Sequence, residues 1–109
     1  MTRSETERLR DIKDAVTAIR EHLAGTDASN PLLHDAVLYR FVIIGEAVKS
    51  LSPETRAAAP DVPWSAVARL RDLIAHAYYR VDMRRVLTIV ENDLASLEAA
   101  VDGMLRERA

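Results

Sequence analysis

Between Met83 and Met104 the chain places Met83, Val86, Val90, Leu94, Leu97, Val101 and Met104 at intervals of three or four residues, with polar side chains filling most gaps. That spacing is the period of a helix with one buried stripe, and a strand would scatter these side chains over both of its faces. The same pattern occurs three more times. Leu9, Ile12, Val16, Ile19 and Leu23 predict a helix over about residues 4–24. Val37, Phe41, Ile44, Val48 and Leu51 predict a second over about 31–51, where Leu38, Val42 and Ile43 suggest a second buried face. Trp64, Val67, Leu70 and Ile74 mark a third.

The breaks between these stripes carry the matching punctuation. Gly25 ends the first helix, and Thr26 to Pro31 is loop chemistry. Ser52-Pro53-Glu54 is a helix start, with Ser as N-cap and Pro at the first helical position. Pro60 stops that short helix after about two turns, and Asp61-Val62-Pro63-Trp64 opens the third long one. Asp82 is placed to cap the last. The chain is therefore expected to be all-α, an antiparallel four-helix bundle with one short extra helix, in a single domain over residues 1–109. At this size a bundle often completes its burial against a second copy of itself, so a homodimer is expected.

Composition removes several function classes. There is no cysteine, which excludes disulfides and thiolate metal sites. His34 with Asp35 finds no third ligand nearby in sequence, so no metal site is expected, and no cofactor. His22, at the end of the first helix, suits the helix dipole and reads as structural. The first ten residues are charged and lack an apolar signal core, and the longest apolar stretch, 41–44, is far too short for a bilayer; a cytoplasmic location without membrane contact is expected.

Charge is more informative locally than globally. The formal net charge is only −2, yet between residues 69 and 85 five arginines (69, 71, 80, 84, 85) face two aspartates (72, 82). The third helix carries Arg69, Arg71, Asp72, His76, Tyr78 and Tyr79 within eleven residues, an unusual load for a bundle helix. Asp72 and His76 lie four apart on one helical face, so the carboxylate could hold the imidazole in one tautomer. Arg71 and Tyr78, seven apart, share another face. Arg71 points roughly 140° away from His76 in an ideal helix, so one chain converges the two only if the helix ends or bends near Ala77. Glu46, set among Ile43, Ile44, Ala47 and Val48, is either a solvated helix position or a partner for an arginine of the third helix.

Arg71-x4-His76-x-Tyr78 resembles the signature of HepT-type HEPN proteins, small helical ribonucleases of bacterial and archaeal toxin–antitoxin pairs. Three further segments resemble the family in the same order: Ile44-Gly45-Glu46-Ala47-Val48-Lys49, Pro60-Asp61-Val62-Pro63-Trp64, and Val90-Glu91-Asn92-Asp93-Leu94. A lone Arg-x4-His is a weak signal; the ordered set, spanning roughly residues 35–95, is specific.

The resemblance implies a metal-independent endoribonuclease cutting RNA at a cleft between two subunits, as the toxin of a type VII toxin–antitoxin pair. It assigns catalysis to Arg71 and His76, with Asp72 supporting. It also implies a partner, a cognate minimal nucleotidyltransferase antitoxin of the MntA type, which attaches AMP to Tyr78 rather than Tyr79 and silences the toxin. The alternative from another class is a non-catalytic helical dimer that binds a nucleotidyltransferase or a nucleotide through the same cleft. A third is a bundle whose motif is a relic.

Overall fold

Every long helix begins where a side chain can satisfy its free N–H groups, or where proline removes one. In the computed structural model, which describes residues 3–109, the elements are α1 (Glu5–Gly25), α2 (Pro31–Ser50), α3 (Pro53–Ala57), α4 (Trp64–Ala77), a single 3-10 turn (Tyr78–Arg80) and α5 (Met83–Glu107). Ser4 and Glu7 form a reciprocal capping box, Ser4 Oγ accepting from Glu7 N at 3.1 Å and Glu7 Oε1 from Ser4 N at 3.0 Å. Asn30 accepts from Leu32 N and Pro31 follows it. Ser52 caps α3 and Asp82 caps α5, as their sequence contexts predict. α4 begins differently. Pro63 is its cap residue and offers no side-chain bond. The start is fixed instead by Trp64, whose Nε1 donates to Arg56 O and Ala59 O, both at 3.0 Å.

The predicted stripes become the core. Leu9, Ile12, Val16 and Ile19 of α1, Val37, Phe41, Ile44 and Val48 of α2, Trp64, Val67 and Ile74 of α4, and Val86, Leu94, Leu97 and Val101 of α5 are buried in one continuous cluster. α2 packs against α1 on one side and α4 on the other, while α1 also carries α5. Leu38, Val42 and Ile43 are only half-buried on α2, and Leu23, Leu70, Met83 and Val90 likewise sit at the margin of the core. The bundle leaves a gap between α4 and the start of α5. There a cleft of about 210 Å³ is lined by Leu70, Leu73, Val81 and Ile89, with Arg69 and Arg85 among its walls.

Polar ties close the other side. Lys13 of α1 donates to Glu98 (2.9 Å) and Asp102 (3.2 Å) of α5, and these carboxylates push the ammonium pKa up. Glu5 accepts from Thr55 Oγ1 and from Arg108 Nη2 (3.2 Å), joining the start of α1, α3 and the end of α5. No helix among the described residues is long and apolar enough to cross a membrane.

Candidate active site

α4 turns Trp64, Val67 and Ile74 inward, which brings Arg71 round to face α2. The residue it meets is Gly45. A Cβ built there would overlap Arg71 Cβ and lie 2.6 Å from its Cγ, so the two helices approach this closely only because position 45 has no side chain. The stem of Arg71 lies in that notch, leaving its side chain only 21% exposed despite its charge. Its Nε is buried without a partner among the described residues.

The two terminal nitrogens are held by two carboxylates. Arg71 Nη2 donates to Glu46 Oε1 of α2 in a close ion pair, and Nη1 donates to Asp72 Oδ1 at 3.1 Å. Lys49 Nζ, one turn beyond Glu46, donates to the same Asp72 oxygen at 2.9 Å. The result is an alternating chain, Glu46–Arg71–Asp72–Lys49, that stitches α2 to α4. Hydrogen bonds from Lys49 and then Arg71 hold the Asp72 carboxyl below its ordinary pKa. The hydrogen bond to Asp72, reinforced by the charge of Glu46, raises Arg71 above its ordinary value against the opposing effect of burial.

The pairing expected between Asp72 and His76 is not formed. One Asp72 oxygen is shared by two cations, one of which arrives from α2, and His76 is exposed with no hydrogen bond among the described residues. Four-residue spacing within a helix permits that contact, but two charged donors, Arg71 beside it on α4 and Lys49 from α2, take the carboxylate instead.

The helix stops at Ala77, whose φ of −155° and ψ of 55° break the α-helical run before the 3-10 turn of Tyr78–Arg80. A seven-residue helical repeat therefore does not relate Tyr78 to Arg71, and the face expected to hold both is interrupted. Tyr78 is 71% and Tyr79 78% exposed, their rings meeting edge to face with centroids 6.1 Å apart. Tyr79 lies outside the core cluster of the described residues. Arg69, Arg80, Arg84 and Arg85 are all exposed, so the local positive excess lies on the surface at this end of α4 and the start of α5.

Of the expected site residues, the structure joins Arg71 to Asp72 and leaves His76 and Tyr78 presented to solvent. Glu46 proves to be the arginine partner, and Lys49 was not anticipated at all. The available signal for both was a Gly-Glu pair and a lysine on an otherwise apolar helix, at Gly45, Glu46 and Lys49.

Four long helices carrying Arg71-x4-His76-x-Tyr78 across the end of α4 define a HEPN-like bundle. The family described as "Ribonuclease HepT-like" matches residues 6–104. The "Probable ribonuclease HepT" of Thermococcus cleftensis is 34% identical over 108 residues, covering 95% of this chain and 98% of the relative. A candidate RNase of Caldanaerobacter subterraneus subsp. tengcongensis is 35% identical over 78 residues, covering 72% of this chain and 70% of the relative. No solved structure matches. The chain belongs to the HepT-like ribonuclease family.

Proposed function

We propose that this RNase is a metal-independent endoribonuclease working as a homodimer, with Arg71 and His76 as its catalytic residues and Asp72 in support. The observation that carries this reading is the contrast within one motif, in which Arg71 is gripped by Glu46 and Asp72 while His76 is free at the surface. A fixed guanidinium suits a phosphate that must be held, and a solvent-facing imidazole suits proton transfer.

Cleavage without a metal takes its nucleophile from the RNA. One His76 imidazole accepts the proton of a ribose 2′-hydroxyl as its oxygen attacks the adjacent phosphorus. The bond from phosphorus to the 5′-oxygen of the next nucleotide breaks, and that oxygen takes a proton from His76 of the partner subunit, leaving a 2′,3′-cyclic phosphate and a 5′-hydroxyl. Arg71 neutralises the charge gathering on the non-bridging oxygens. Within one chain Arg71 faces α2 and His76 faces solvent, which favours a site completed by a second copy about a twofold axis.

The finer reading makes the enzyme the toxin of a type VII toxin–antitoxin pair. A minimal nucleotidyltransferase partner transfers AMP from ATP to the Tyr78 hydroxyl and releases pyrophosphate. The exposure of Tyr78, directly after the break at Ala77, supports its use as acceptor. Expression of this chain alone in a bacterial host is the test. Growth arrest that disappears in His76→Ala and is relieved by the partner enzyme supports the reading; arrest that persists in His76→Ala contradicts it.

A further inference from the structure

We propose that Glu46 is the positioning residue of Arg71, fixing its guanidinium so that the unused N–H groups meet the scissile phosphate. The inference rests on the reading of Arg71 as the phosphate-binding cation.

Three observations separate this contact from an ordinary surface ion pair, which contributes little and moves freely. The first is the notch at Gly45: the pair forms only because α2 omits a side chain where the Arg71 stem lies. The second is division of labour between the two carboxylates. Asp72 is shared between Arg71 and Lys49, whereas the only side-chain partner of Glu46 among the described residues is Arg71. The third is the state of the guanidinium. Its Nε is enclosed without a partner among the described residues, and each terminal nitrogen spends one N–H on a carboxylate. Each then retains one further N–H, and a phosphate can take both at once in a forked contact. Rotation about the Arg71 side chain would lose that fork, and Glu46, anchored on a different helix, opposes the rotation.

A carboxylate beside a phosphate site also repels the substrate, so Glu46 has opposite effects on binding and on turnover. That opposition gives the test. Cleavage of a single-stranded RNA oligonucleotide is measured for the native chain, Glu46→Leu, Glu46→Ala and Glu46→Gln, with thermal unfolding of each. Glu46→Leu and Glu46→Ala are expected to lower kcat by about tenfold or more, because orientation is lost, with KM unchanged or reduced. Glu46→Gln, whose amide oxygen still accepts from Arg71, is expected to recover most of kcat with a reduced KM. Native kcat in the Leu and Ala variants overturns the proposal, as does a fall in kcat that tracks a lowered Tm equally in all three. Failure of the native chain to cut RNA overturns the nuclease reading and this inference with it; native cleavage beside an unaffected Ala variant overturns this inference alone.

Discussion

Gly45 lies directly beneath Arg71, so near that a single added methyl group would occupy the space of the Arg71 Cβ. The contact is between backbone and the base of a side chain, not its flexible tip, so neither partner can move aside without shifting a helix. Gly45→Ala is therefore expected to destabilise the fold by about 1–3 kcal/mol, the range for an overpacked interior. Because the displaced group is the stem of the site arginine, cleavage is expected to fall further than the loss of folded protein explains. Unfolding in denaturant and RNA cleavage under native conditions, measured on the same preparation, check this.

Asp72 gives a pH signature. Its folded pKa lies below the ordinary 3.8 because Lys49 and Arg71 stabilise the charged form. A carboxylate with a depressed folded pKa adds stability that is fully present above its unfolded pKa and is lost as pH falls through the folded one. The window thus opens near 3.8 and extends downward. Asp72→Asn removes this contribution, so the native chain and the variant should differ in Tm above about pH 5 and converge as acid is added. The effect is small because the group is solvent-facing, and added salt should shrink it. A series of thermal melts against pH at two salt concentrations decides it.

Tyr78 and Tyr79 are adjacent and equally open, which makes them a built-in comparison. After co-expression with a minimal nucleotidyltransferase, the intact mass is expected to rise by whole AMP units. The gain should disappear in Tyr78→Phe and survive in Tyr79→Phe, as intact-protein mass spectrometry reports directly.

Much of this architecture was legible from apolar spacing alone. Leu9 to Leu23 and Val86 to Met104 predict their helices because the stripe needs only local sequence to be seen. Caps at Ser52 and Asp82 were legible for the same reason. Spacing tells which way a side chain points but not what lies over it, so Leu70, Met83 and Val90 were expected inside and sit at the margin. The site shows the same limit more sharply. An Asp72–His76 contact is visible within one helix, whereas Lys49 reaches Asp72 from 23 positions away, a distance only tertiary packing can close. The break at Ala77 carries neither glycine nor proline, and the sequence could state it only as a condition for Arg71 and His76 to converge.

The proposed cutting of RNA by Arg71 and His76, with the 2′-hydroxyl as nucleophile, leaves its signature in the new RNA ends. The native chain, Arg71→Ala and His76→Ala are each incubated with a single-stranded RNA, with and without excess chelator, and the chemistry of the new ends is determined. Cleavage is expected from the native chain alone, in both conditions, leaving 2′,3′-cyclic phosphate and 5′-hydroxyl termini. Undiminished cutting by His76→Ala, or 5′-phosphate ends that disappear with chelator, would contradict it.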